Sequence, residues 1–210
     1  EGAANTGSGS QALFSNTTGS SNIANGGQAL FNNTTGNANT ASGRYALVSN
    51  TTGSDNTASG YSSLYNNTTG NANAALGVDS LHSNTTGIFN AASGHSALYY
   101  NTTGYYNTAI GAVALYYNTT GGSNIAIGHL AGLNLTTGNS NIMIGNQGGT
   151  AESNTIRIGT NGSHISTFLA GIRGVTTINS NAIAVLVDSA GQLGTVSSSR
   201  RVKDDIADMD

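Results

Sequence analysis

The chain has 210 residues, of which only 7% are charged, a formal net charge of −3, 30 glycines, and neither proline nor cysteine. This balance gives no electrostatic footprint for nucleic acid. No apolar run reaches the roughly 18 to 20 residues of a membrane-spanning helix, and the missing cysteines exclude disulfide staples and thiolate metal sites.

From the first residues onward the chain is a repeat. The tetrapeptide Asn-Thr-Thr-Gly starts at Asn16, Asn33, Asn50, Asn67, Asn84, Asn101 and Asn118, a fixed step of 17, and Leu135-Thr136-Thr137-Gly138 stands where the eighth copy falls. A fixed period of this size marks units that stack and bury each other's apolar faces. Gly2, Asn5 and Gly9 lie one period before Gly19, Asn22 and Gly26. The chain therefore opens inside a coil, and more repeat is expected upstream.

With the Asn of Asn-Thr-Thr-Gly as position 1, position 7 is Asn from Asn22 to Asn141 and position 11 is Gly from Gly26 to Gly145. Position 9 is Ala from Ala24 to Ala126, then Met143; position 15 is Leu from Leu30 to Leu115, then Gly132. The spacing predicts an all-β parallel β-solenoid with two short strands per coil, at positions 7 to 11 and 13 to 17. The density of Gly, Asn and Thr argues against helix. Gly at positions 4 and 11 is expected to turn the chain through positive φ. Ala at position 9 would face Leu at position 15 inside the coil, and the position 7 asparagines would stack as an amide ladder.

Positions 8 and 10 then point outward. They are Thr and Ser in several middle coils but Ile125, Ile127, Ile142 and Ile144 near the end. An outward isoleucine row is best buried against another chain, so a homo-oligomer is expected, most simply a homotrimer. Past Gly145 the step shortens: Asn154 to Gly159 repeats the strand signature, with its Gly 14 residues after Gly145. The solenoid is assigned to 1–160 and a non-repeat β neck to 161–197, with strands expected over 167–175 and 182–187. Residues 198–210 form a distinct terminal piece.

Two stretches resemble known families. The unit Asn-x-Ala-x-Gly-x-x-Ala-Leu, closest at 124–128 and 141–145, resembles the head repeats of trimeric autotransporter adhesins. That resemblance implies a left-handed parallel β-roll with three chains per head, although the family more often runs at the shorter step. Ser197-Ser198-Ser199-Arg200-Arg201-Val202-Lys203-Asp204-Asp205-Ile206 looks like the start of the intramolecular chaperone domain of endosialidase-type phage tail spikes and fibres. That resemblance implies self-cleavage just before Ser198, with Ser198 as nucleophile and Lys203 as its base. Ser199 departs from the Asp common there, and the chaperone body does not follow within these residues. A serine hydroxyl needs a neighbouring base to react, and a lysine serves when its pKa is lowered.

Other candidate sites follow from residue type. Each Asn-Thr-Thr satisfies the N-glycosylation pattern, which nominates Asn16, Asn33, Asn50, Asn67, Asn84, Asn101, Asn118 and Asn134, along with Asn32, Asn66 and Asn161. At turns the repeated asparagines would form an exposed row, and sugar would hydrate a neutral surface. Tyr99, Tyr100, Tyr105, Tyr106, Tyr116 and Tyr117 lie on neighbouring coils; such a patch suits sugar or protein or is plain stacking along a face. His95 and His129, two coils apart at position 12, would lie about 10 Å from each other, too far to share a metal ion. No metal or cofactor is expected.

The sequence reads as an extracellular structural and adhesive fibre or head, of a bacterial appendage or a phage tail fibre. Its partners are other copies of itself and cell-surface carbohydrate, without nucleic acid or membrane insertion. It is not expected to be an enzyme beyond one self-cleavage. Two alternatives stand beside this: a polymerising, glycosylated fibril subunit without a receptor, and the non-catalytic part of a carbohydrate-active tail spike.

Overall fold

A computed structural model describes residues 2–168, 185–187 and 193–195. Ten strands, β1 (Thr6–Ser8), β2 (Ile23–Asn25), β3 (Thr40–Ser42), β4 (Thr57–Ser59), β5 (Ala74–Leu76), β6 (Ala91–Ser93), β7 (Thr108–Ile110), β8 (Ile125–Ile127), β9 (Ile142–Ile144) and β10 (Ile156–Ile158), form one sheet in chain order. Every pairing is parallel and in register: Ala41 sits beside Ala58, Ala58 beside Ala75. The step is 17 residues up to β9 and 14 between β9 and β10, where Ile142 pairs Ile156. This is a parallel β-solenoid, with no helix among the described residues.

Each coil carries one strand rather than the two expected. Positions 13 to 17 form turns, because positions 13 and 15 adopt left-handed backbone: Tyr45 has φ +64° and Leu47 φ +53°. The inversion sends Ala46 and Leu47 both inward, and both are fully buried. In a strand these neighbours would point to opposite faces. A left-handed non-glycine residue costs on the order of 1 to 2 kcal/mol. Burial of a leucine side chain returns about 1.5 to 3 kcal/mol, and the backbone is not left unpaired. Tyr45 N–H donates to Gly27 O at 3.1 Å in the previous coil, and Leu47 N–H to Ser63 O at 3.0 Å in the next.

The core is a narrow column of alanine at positions 9 and 14 and leucine at position 15. It is flanked by two buried asparagine ladders. At position 7, Asn56 Oδ1 accepts from both the N–H (3.0 Å) and Nδ2 (3.2 Å) of Asn73, whose Nδ2 also donates to Gly87 O at 2.8 Å. At position 1, Asn67 Nδ2 donates to Asn50 Oδ1 at 2.8 Å and to Gly70 O at 3.0 Å. The Gly70 carbonyl also accepts from Asn56 Nδ2 at 2.8 Å, so one glycine ties the two ladders together. A third row runs outside, where Thr51 Oγ1 donates to Thr68 O and Thr68 Oγ1 to Thr85 O.

The two glycine positions have different causes. At position 11 the φ is positive, +143° at Gly60. At position 4 it is space: a Cβ on Gly53 would overlap Asn50 Oδ1 and the Gly70 carbonyl. Positive φ was expected at both.

The last coil closes the column differently. Arg157 stands at position 9, where the other coils carry a small or apolar residue, and makes a two-pronged ion pair with Glu152, the shortest contact being 2.8 Å. Glu152 Oε1 also accepts from Gly149 N–H. The chain divides into two units, Glu1–Ile165 and Ser166–Asp210. In the second, β11 (Val185–Val187) and β12 (Leu193–Thr195) form an antiparallel pair. Most of the strand expected over 167–175 lies outside the described residues.

Candidate functional site

The repeated sequon does not form an exposed row. Asn33, Asn50, Asn67, Asn84, Asn101 and Asn118 are fully buried in the position 1 ladder. Their Nδ2 atoms, the atoms a glycan would occupy, are spent on the glycine carbonyl and the preceding asparagine. Asn16 is half-buried, with its Nδ2 on Gly19 O; Asn134 is half-buried, with its Nδ2 on Gly148 O. In the folded coil the amides of Asn33 to Asn118 are thus taken up inside the ladder. The sequon asparagines that stand exposed are Asn32 and Asn161.

The tyrosines separate into two groups. Tyr99, Tyr100, Tyr116 and Tyr117 occupy positions 16 and 17 of two successive coils. Tyr99 stacks on Tyr116 at 5.3 Å, and the rings of Tyr100 and Tyr117 are parallel within 5° at 5.9 Å. Tyr116 meets Tyr100 and Tyr117 edgewise, at 5.1 and 4.9 Å. Tyr105 and Tyr106, at positions 5 and 6, make a different contact set: Tyr106 stacks on Phe89 at 5.0 Å, and Tyr105 fills the space where a Cβ on Gly122 would sit. Burial pushes the Tyr99 and Tyr116 phenols above their ordinary pKa, helped by the nearby charge of Asp79 at Tyr99 and by Tyr100 at Tyr116.

Position 16 carries a feature the sequence reading missed. Tyr65, His82, Tyr99 and Tyr116 form one stack, with centroids 5.1, 4.8 and 5.3 Å apart. Phe14 and Phe31 stack on the same row further up. The signal was available: reading position 16 as a column gives Phe14, Phe31, Val48, Tyr65, His82, Tyr99, Tyr116. His82 Nδ1 is buried without a hydrogen-bond partner. Burial holds the imidazole below its ordinary pKa, against the upward pull of Asp79.

The outward face of the sheet behaves as expected, with strand centres buried and flanks exposed. None of its outward residues, from Thr6 in β1 to Ile158 in β10, is charged. Ile110, Ile125, Ile127, Ile144, Ile156 and Ile158 stand exposed along its last four strands. Further up, where the outward residues shrink to Ala74, Ala91 and Ser93, the face dips into a shallow depression of about 370 Å³ rimmed by Leu76 and Ile110. The dip is lined almost wholly by apolar and hydroxyl groups, with no titratable side chain for acid–base chemistry.

His95 and His129 are exposed on position 12, and no cluster of potential metal ligands exists among the described residues. Ser198 and Lys203 lie outside the described residues. Compared with known proteins, the chain matches no family model, no curated protein and no solved structure.

Proposed function

We propose that this chain is an extracellular structural and adhesive rod that associates with copies of itself, as a homotrimer, and displays its repeated edges for attachment. The observation that carries the reading is the long uncharged sheet face ending in six exposed isoleucines. Monomeric proteins rarely leave contiguous apolar patches larger than a few hundred Å² open to water. A face built from parallel strands in strict register offers the same residues at each height to every copy, which suits closed symmetry about an axis along the rod.

Attachment then works through repetition. Nine steps of about 4.8 Å make a rod of roughly 43 Å, and three such rods raise the effective concentration of any weak edge contact. Linked weak sites gain on the order of 10² to 10⁴ in avidity without new contacts. Cell-surface carbohydrate is the partner that exposed tyrosine and hydroxyl rows suit. The resemblance to tail-fibre chaperones adds one maturation step, cleavage before Ser198 by Ser198 with Lys203.

Beads coated with the full chain test this on an array of cell-surface polysaccharides. The reading expects multivalent retention of the beads and at least a hundredfold weaker binding by dilute soluble chain. Beads that ignore every polysaccharide and every intact cell surface contradict the adhesive role and leave a scaffold alone.

A further inference from the structure

We infer that Tyr100 and Tyr117 form a site of oxidative cross-linking, a carbon–carbon tyrosine–tyrosine bond that staples two successive coils of the solenoid. Three observations converge on this pair. The two rings belong to adjacent coils, 5.9 Å apart and parallel within 5°. Both are about half exposed, Tyr100 at 43% and Tyr117 at 48%, so an oxidant reaches them from solvent. Both are braced from below, since Tyr116 meets each of them edgewise. Bracing holds the two rings at close range, the arrangement that turns a bimolecular coupling into an intramolecular one.

The chemistry balances with one named co-reactant, a peroxidase using hydrogen peroxide. Each phenol gives up one electron and its hydroxyl proton to become a phenoxyl radical. The two radicals couple through the ring carbons ortho to oxygen. The hydrogen on each joined carbon then moves to its oxygen, restoring two phenols and both aromatic rings. The two electrons and two protons reduce one peroxide to two waters, and the chain loses two hydrogen atoms. The chain contains no cysteine, so this bond supplies a covalent staple that disulfides cannot. The pair lies outside the strands that carry the isoleucines, and the inference is independent of self-association.

The test is oxidation of the dilute, folded full chain with a haem peroxidase and hydrogen peroxide, with free tyrosine in a parallel tube to show that the enzyme is active. The expected result is a single-chain mass lower by two hydrogens. After denaturation and cleavage beside Leu115, the fragments carrying Tyr100 and Tyr117 stay joined. The Tyr100→Phe/Tyr117→Phe variant, with an unchanged circular dichroism spectrum, loses that product. The chain unfolded in urea before oxidation scatters its links among its nine tyrosines. Links that join separate chains, links mapping to Tyr45, Tyr61, Tyr65, Tyr105 or Tyr106, or an undiminished mass loss in the double variant would each overturn the assignment.

Discussion

At the scale of single residues the fold depends on asparagine used as an internal amide. Asn73 Oδ1 accepts from both Asn90 N–H and Asn90 Nδ2, while its own Nδ2 reaches Gly87 O and Asn56 Oδ1. Replacement by alanine leaves the Asn90 N–H and the Gly87 carbonyl with reduced or no pairing in a dry interior. Each stranded buried group costs about 1 to 3 kcal/mol, so Asn73→Ala should lower stability by about 2 to 4 kcal/mol. Asn71→Ala, two residues away but exposed, should cost less than about 1 kcal/mol. Urea midpoints read by circular dichroism separate the two. The sequence made the position 7 ladder legible through its lack of exceptions. It misplaced the position 1 ladder, because Asn-Thr-Thr-Gly satisfies every rule for an exposed turn. Nothing in the tetrapeptide reveals that the glycine carbonyl turns inward to receive the amide.

Two titrating groups give a pH dependence of the same sign. His82 has its folded pKa lowered by burial, so the unfolded chain binds a proton more readily. Stability from this group is complete above the ordinary histidine pKa of about 6.5 and is lost as pH falls below it. Glu152 has its folded pKa lowered chiefly by its bond to Arg157. Its contribution is present above the ordinary carboxylate pKa and disappears as pH falls through the lower folded value. Arg157 is about half exposed, with a side-chain accessibility of 49%, so this second contribution is small. Urea midpoints measured from pH 7.5 to pH 5 should fall for the natural chain and fall less for His82→Phe. Equal slopes would show that His82 does not sense pH in the folded coil.

At the scale of the coil, one irregular element shows how the repeat absorbs change. Leu135 replaces the position 1 asparagine and is fully buried, while position 15 of the preceding coil is Gly132 rather than leucine. The buried leucine stands three residues along, and the site at Gly132 is tight, since a Cβ there would press Leu115 Cδ2 at 2.8 Å. The exchange ends the amide ladder and leaves Asn118 Oδ1 buried without a donor. Gly132→Leu alone should overpack, costing about 1 to 3 kcal/mol. Leu135→Asn alone should open a cavity, costing about 2 to 5 kcal/mol. The double variant restores the leucine at position 15 and the asparagine at the next position 1 that the other coils carry together, and residues this close couple, so it should recover most of both losses. Additive losses would contradict the exchange.

The same scale shows what apolar patterning cannot convey. The 17-residue period, a strand within positions 7 to 11 and its outward flanks were all legible, since alternation there is unambiguous, and the structure narrows the strand to positions 8 to 10. The supposed second strand was not. An Ala-Leu pair looks like half of an alternating strand, and no side chain in it announces a left-handed backbone. That conformation is imposed by stacking, where each inverted residue keeps its N–H on an adjacent coil.

At the scale of the whole molecule, the solenoid presents one uncharged sheet face that ends in exposed isoleucines. The isoleucine end of the face is the part the reading places against other copies. A carboxylate buried there without a partner is strongly unfavourable, whereas the same substitution on a solvent-facing strand is mild. Ile127→Asp/Ile144→Asp should therefore dissociate the assembly while leaving each coil folded, since both side chains point away from the core.

Sedimentation equilibrium of the full chain beside the Ile127→Asp/Ile144→Asp variant, both checked for unchanged circular dichroism, tests this self-association most directly. The account predicts a three-chain mass for the natural protein and a one-chain mass for the variant. A natural chain that sediments as a single copy at every concentration, or a variant that stays trimeric, would contradict it.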